Sequence, residues 1–192
     1  IFEKKVLRVM PQRIVHVQPG SLAARNGILS GETLVSINRT PVLDLVDYQY
    51  LTARPSLEIL LEDEKHATRT VHIRKLIEEP LGLTLESSLM SCPKTCANHC
   101  VFCFIEQMPP GMRQSLYVRD DDWRLSLMAG NFVTLTNLPK AEMDRMIERK
   151  ASPIYVSVHT TNGALRNKML HHVHADRIME HLNRFAENGM SF

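Results

Sequence analysis

The sequence predicts an α+β chain of two domains, a small β-rich module over residues 1–76 and, over 77–192, an incomplete run of parallel β–α units. Three observations carry this. Short apolar runs separated by turn signals fill residues 13–75. From residue 80 onward, strand-like runs alternate with amphipathic helical stretches, the rhythm of parallel β–α units. All 4 cysteines lie between Cys92 and Cys103, at the opening of that second rhythm.

The elements follow in order. Ile14, Val15 and Val17 form a strand that Pro19 and Gly20 end; Ser21 caps a short helix through Leu22, Ala23 and Ala24, which Asn26 and Gly27 stop. Residues 34–37 make a second strand, 44–51 a helix, and 57–61 with 70–73 a strand pair around the polar stretch 62–68. In the second region, Leu81, Leu83 and Leu85 mark a strand leading into the cysteine loop, and residues 132–136 and 154–159 mark two more. Helices are expected at 139–150, with Met143, Met146 and Ile147 on one face, and at 176–187, with Ile178, Met179, Leu182 and Phe185. At about 30 residues per unit, residues 80–192 hold three or four β–α units, too few to close a barrel of roughly six to eight. With no Met at position 1, the chain is expected to be a piece of a longer protein.

A length of 192 residues, 44% hydrophobic composition and a net charge of +2 describe a globular protein with enough apolar surface to build a core. The longest apolar runs, 57–61 and 132–135, fall far short of the ~20 residues of a membrane helix, and no basic start leads into an apolar secretion signal. A cytoplasmic protein without a membrane partner is expected. The near-neutral charge gives no general pull toward nucleic acid.

The stretch Val17-Gln18-Pro19-Gly20-Ser21-Leu22-Ala23-Ala24, with Gly27-Ile28, Gly31-Glu32 and residues 34–38, resembles a PDZ domain. That resemblance implies capture of an extended peptide at a sheet edge, its terminal carboxylate held in a nest of backbone N–H groups. A Gly-rich nest is expected just before the Ile14 strand, and Met10-Pro11-Gln12-Arg13 contains no glycine. Docking of the module within its own chain is therefore the expected role, with peptide capture as the alternative.

The cysteine loop reads Cys92-Pro-Lys-Thr-Cys96-Ala-Asn-His-Cys100-Val-Phe-Cys103. Thiolates at this density suit zinc or an iron–sulfur cluster. Structural zinc sites usually join two distant Cys-x-x-Cys knuckles, and only Cys100 and Cys103 form such a pair. Three cysteines spaced as Cys96, Cys100 and Cys103 suit a cubane with one open iron. A zinc knuckle using all four cysteines and a closed electron-transfer or structural cluster remain open alternatives. Cys92 lies outside the three-cysteine pattern and is read as an extra thiol.

The spacing of Cys96, Cys100 and Cys103, with Phe102 before the last cysteine, resembles the signature of the radical S-adenosylmethionine superfamily. Further runs extend the likeness: residues 104–113, Ser115-Leu116-Tyr117, residues 120–126 and residues 130–138. Together they resemble an uncharacterised bacterial family in which a PDZ-like domain precedes a radical S-adenosylmethionine (TIM-like) barrel and a domain of unknown function numbered 512 (DUF512). The resemblance implies a 4Fe–4S cluster on Cys96, Cys100 and Cys103 and S-adenosylmethionine chelated at the open iron. One electron from the cluster would yield a deoxyadenosyl radical that abstracts hydrogen from a small-molecule or macromolecular substrate, unidentified. It also implies an electron donor of flavodoxin or ferredoxin type. The glycine-rich cofactor run of such barrels corresponds to Thr134-Leu135-Thr136-Asn137, so Thr136 and Asn137 are its oxygen acceptors here, with Phe102 against the adenine.

His159, at the end of its strand and followed by Thr160, Thr161, Asn162 and Arg166, is a candidate for cofactor or substrate contact. Asp122 is expected to cap the helix 123–129, while the roles of Asp120 and Asp121 beside Arg119 and Arg124 stay open. Arg113, near Ser115 and Tyr117, is either an anion contact or a solvated surface residue. His171, His172, His174 and His181 fall in a polar connection and on a helix, and are expected to be solvated.

Overall fold

The computed structural model describes residues 12–87, 89 and 91–192 and divides into two compact units, Ile1–Cys92 and Pro93–Phe192. Met10 and Pro11, half of the stretch lacking a nest glycine, lie outside the described residues.

The first unit is an antiparallel sheet with two helices. Its elements are β1 (Gln12–Val17), α1 (Leu22–Arg25), β2 (Thr33–Ile37), β3 (Thr40–Pro41), α2 (Leu45–Thr52), β4 (Ser56–Glu62), β5 (Thr68–Arg74) and β6 (Leu83–Leu85). The sheet runs β5-β4-β2-β1-β6, with β3 on β2. Period-two alternation fixes the register: Leu57, Ile59 and Leu61 of β4 are fully buried, while Glu58 and Glu62 between and beyond them reach solvent. Each such buried side chain contributes about 1.5–3 kcal/mol of apolar transfer. Both helices start as their sequences dictate. The Ser21 hydroxyl accepts from the Ala24 amide at 3.3 Å and the Asp44 carboxylate from the Asp47 amide at 3.1 Å.

One strand differs from the sequence reading. Leu83–Leu85 does not open a β–α unit; it pairs antiparallel with β1, Val17 opposite Leu83 and Ile14 opposite Leu85. The leucines explain this. Leu81 is buried in the core of the first unit, and Leu83 and Leu85 pack against that core. The division between compact units falls after Cys92, beyond this strand.

The second unit contains α3 (Trp123–Ala129), α4 (Lys140–Glu148), α5 (Gly163–Leu170) and α6 (Ile178–Glu187), with a 3-10 turn Ala175–Arg177 ahead of the last. The expected strands at 132–136 and 154–159 are present as bridged segments. Val133 and Val156 form a parallel bridge, the Val133 amide donating to Tyr155 at 2.9 Å and Ser157 returning a bond to Val133 at 2.8 Å. A longer ladder is prevented because Leu135 and His159 take left-handed backbone, φ 60° and 62°. The bridge still gives one parallel β–α–β crossing, with α4 in its connection. Met143 and Met146 of α4 and Ile178, Leu182 and Phe185 of α6 are buried, as their helical spacing requires. Helix α5 was not anticipated. Asn162-Gly163 reads as a turn, but the Asn162 side chain accepts from the Leu165 amide at 3.0 Å and caps the helix. No helix among the described residues is long and apolar enough to cross a membrane.

Candidate metal and cofactor site

The cysteine loop is held from both ends by backbone bonds. The Cys96 amide donates to Arg119 at 2.8 Å beside the Thr95–Asp120 bridge, and the His99 and Val101 amides donate to Leu170 and Met169, each at 3.0 Å, at the end of α5. Between these anchors the chain turns tightly, Cys103 donating back to the Cys100 carbonyl at 3.0 Å. Cys96, Cys100 and Cys103 are half-buried, whereas Cys92 is exposed.

Asn98 ties this loop to the segment after α3. It is fully buried. Its Nδ2 donates to the Thr134 hydroxyl at 2.8 Å and faces the Cys96 sulfur at 3.4 Å; its Oδ1 accepts from the Thr136 hydroxyl at 2.8 Å. Arg119 donates to the Asn98 carbonyl and, at 2.5 Å, to Glu106, which also meets His99 at 2.8 Å. The Thr134 hydroxyl donates to Asp121 at 2.7 Å. The hydroxyl protons of Thr134 and Thr136 are thus committed within the chain, and the Thr136 oxygen keeps acceptor capacity only. Asn137 donates its Nδ2 to the Thr95 carbonyl at 3.2 Å, which leaves its Oδ1 to accept.

Arg166 is 1% exposed and donates to the carbonyls of Val158, Ala175, Thr134 and Ser157 at 2.6–2.9 Å. It clamps the ends of both bridged segments. Burial lowers its affinity for the proton, and the fields of Asp121 and Cys100 counter this only in part. Burial likewise raises the Asp121 carboxyl, against its bonds from Thr134. The Cys100 thiol is pushed up first by burial and then by the neighbouring Cys96 and Cys103 sulfurs, so the three sense one another. Burial opposes the charge of Arg119, but Glu106 and the Cys96 sulfur outweigh it.

Several expected residues come together. The Phe102 and His159 rings pack with centroids 4.8 Å apart, and Thr136 reaches the loop through Asn98. Asp122 caps α3 as expected, accepting from the Arg124 amide at 3.0 Å. Asp120 and Asp121 bind their own chain, through Asn131 and Thr134. Tyr117 donates to Pro109 and accepts from the Met112 amide at 2.9 Å, closing its loop, while Arg113 is exposed. His181 departs from its reading as a solvated side chain: it is 7% exposed, because Ile178, His181, Leu182 and Phe185 share the inward face of α6. Asn98 and Arg166 were not singled out for these structural roles; Asn98 had one sequence signal, its place inside the cysteine spacing.

The donor set fits an iron–sulfur cluster. Three soft thiols stand half-buried on one loop, with two cationic guanidinium groups, Arg119 and Arg166, in electrostatic reach. Among the described residues, no three His, Cys, Asp or Glu side chains gather to hold a single metal ion. A cubane makes no such demand, since each cysteine binds a different iron.

The histidines give a pH prediction. Burial, reinforced by His174, holds His172 below the ordinary 6.5, and burial with Arg177 does the same to His181. The unfolded chain therefore takes up protons first as pH falls, and the stability is present above about 6.5 and lost as pH drops through the folded values. The melting temperature is expected to fall between about pH 7 and about pH 5, and His181→Gln is expected to flatten that decline. A flat wild-type profile across this window contradicts the assignment.

Residues 75–192 match the family described as the Radical SAM-like domain, and residues 13–62 match the PDZ domain, consistent with the antiparallel sheet of the first unit. No curated protein matches the chain. The first of these matches spans more than half of the sequence, around a half-buried three-thiol loop tied to a parallel β–α–β crossing, and the chain belongs to the Radical SAM-like domain family.

Proposed function

We propose that residues 77–192 are the N-terminal part of a radical S-adenosylmethionine barrel, in a protein of the DUF512 type, with Cys96, Cys100 and Cys103 holding a 4Fe–4S cluster. When bound, the cluster supplies the electron for reductive cleavage of S-adenosylmethionine. The observation that carries this is the loop itself: three half-buried thiols fastened through Asn98 to Thr134 and Thr136. The chain's own residues orient and shield. Thr136 and Asn137 offer oxygen acceptors to the cofactor's amino group, the Phe102 ring covers adenine, and the His159 ring packs against Phe102 at a tilt of 53°. Arg119 and Arg166 offset thiolate charge. The substrate is unidentified, and the electron donor is a flavodoxin- or ferredoxin-type protein. Anaerobic reconstitution is expected to load about four irons and four sulfides per chain. Stoichiometric zinc with no sulfide contradicts the reading.

A second reading concerns the first unit. A groove of about 320 Å³ lies between α2 and the approach to β6, lined among others by Tyr48, Thr52, Lys75, Leu81 and Gly82. Strand β6 ends the sheet path, and the Leu81 and Gly82 amides donate to no partner among the described residues. The glycine sought before β1 thus has its counterpart beside β6, at φ 78°. We infer that this groove accepts the free C-terminus of a peptide, from a partner or from the same protein. A Cβ on Gly82 would meet the Ser21 Cβ at 2.3 Å, so Gly82→Ala displaces the loop. Fluorescent peptides with a free C-terminal carboxylate are expected to bind and their amidated forms to bind at least tenfold more weakly, about the worth of one charged hydrogen bond. Equal binding of both forms would rule the groove out as a carboxylate site.

A further inference from the structure

Asn98 lies inside the cysteine spacing, between Cys96 and Cys100, and is fully buried. A primary amide carries two N–H donors and an oxygen acceptor. Here all three functions are occupied. Nδ2 reaches the Thr134 hydroxyl at 2.8 Å and the Cys96 sulfur at 3.4 Å, while Oδ1 accepts from the Thr136 hydroxyl at 2.8 Å. The surrounding bonds fix which end of the amide faces the sulfur. The Thr134 hydroxyl gives its proton to Asp121 at 2.7 Å, so its oxygen must accept, and the atom of Asn98 beside it is the nitrogen.

The backbone holds the residue just as firmly. The Asn98 carbonyl accepts from Arg119, and the next amide, that of His99, donates to Leu170 at 3.0 Å. Of Cys96, Cys100 and Cys103, Cys96 is the one whose sulfur receives a side-chain N–H among the described residues. The amide is therefore built to keep one donor on one ligand sulfur. A donor there draws negative charge off the thiolate and favours whichever state of the bound group carries more of it. Taking up one electron makes a cluster more negative, so the bond favours the reduced form and raises the reduction potential.

We propose that Asn98 is a positioning residue that sets the reduction potential of the cluster, acting through its Nδ2 hydrogen bond to the Cys96 sulfur. The inference rests on the cluster reading and deepens it, giving a redox role to a residue outside the set of cluster ligands and cofactor contacts. The electron itself comes from the flavodoxin- or ferredoxin-type donor, and the bond eases its transfer. An amide that only fastened the loop would affect how much cluster the chain holds and leave the potential alone.

The test uses the full chain, anaerobically reconstituted and without S-adenosylmethionine. Redox titration followed by electron paramagnetic resonance compares the wild type with Asn98→Leu, which keeps the size of the side chain and removes its donors. The variant is expected to have a midpoint potential about 59 mV lower, a tenfold change in a one-electron equilibrium. An unchanged or raised potential overturns the proposal. A second measurement needs no variant: with 15N placed in the side-chain amide of asparagine, pulsed electron paramagnetic resonance of the reduced wild-type cluster is expected to show a nitrogen coupling. Its absence overturns the proposal even where Asn98→Leu loads no cluster, and so does a coupling that persists in Asn98→Leu. A wild-type chain that takes up no cluster fails the cluster reading and this inference with it. A wild-type cluster without the shift or the coupling fails this inference alone.

Discussion

Replacing Cys96, Cys100 or Cys103 singly by Ala is expected to abolish cluster assembly, while Cys92→Ala leaves iron and sulfide content unchanged. The difference follows from position. The first three thiols are half-buried on a loop pinned by the Cys96, His99 and Val101 amides, whereas Cys92 is exposed ahead of that loop. Removing one thiolate leaves one iron without its protein ligand, and metal affinity falls steeply when a ligand is lost. Iron and sulfide analysis after reconstitution, with the visible absorption of the cluster, reads the result. Cluster loss in Cys92→Ala, or retention in any of the other three, contradicts the ligand assignment.

Asp122→Ala is expected to destabilise the second unit by about 3–5 kcal/mol, the range for breaking a buried ion pair. The carboxylate is fully buried and does three things. It caps α3 through the Arg124 amide, takes the Arg124 guanidinium at 2.9 and 2.5 Å, and accepts from the Lys94 amide at 2.9 Å. Burial works to raise its pKa, but these partners outweigh it and hold it below the usual carboxylate range. Alanine removes both of these carboxylate bonds from Arg124, itself 4% exposed. Asp122→Asn keeps the cap and is expected to cost less. Urea unfolding of the three proteins checks the order, and a loss under about 1 kcal/mol in Asp122→Ala would show the pair to be dispensable.

The elements legible in the sequence are those whose signals are local. Ser21, Asp44 and Asp122 are short oxygen-bearing side chains before apolar runs, and each caps its helix. The alternation of residues 57–61 fixed one face of β4. Leu83–Leu85 was assigned to the wrong region because an apolar run states that it must be buried and says nothing about where; its partner β1 lies about seventy residues earlier. Helix α5 was hidden because Asn162-Gly163 serves equally as a turn and as a cap. His181 was within reach: its spacing from Ile178, Leu182 and Phe185 marks the inner face of α6, and only its polarity argued for solvent.

In the candidate site, the cysteine spacing was visible because ligand chemistry requires it. The roles of Asn98 and Arg166 were not visible. Both consist of bonds to residues far along the chain, Thr134 and Thr136 for the first and four carbonyls for the second. A Gly-rich nest is expected before the first strand; Gly82, at φ 78°, stands beside the last one, its amide and that of Leu81 donating to no partner among the described residues.

The most direct test of the central claim is the electron paramagnetic resonance spectrum of the anaerobically reconstituted, reduced chain, recorded with and without S-adenosylmethionine. An open iron that takes the cofactor's amino and carboxylate groups predicts a changed cluster signal on its addition. A cluster signal identical in both samples, or a chain that holds only zinc, would contradict it.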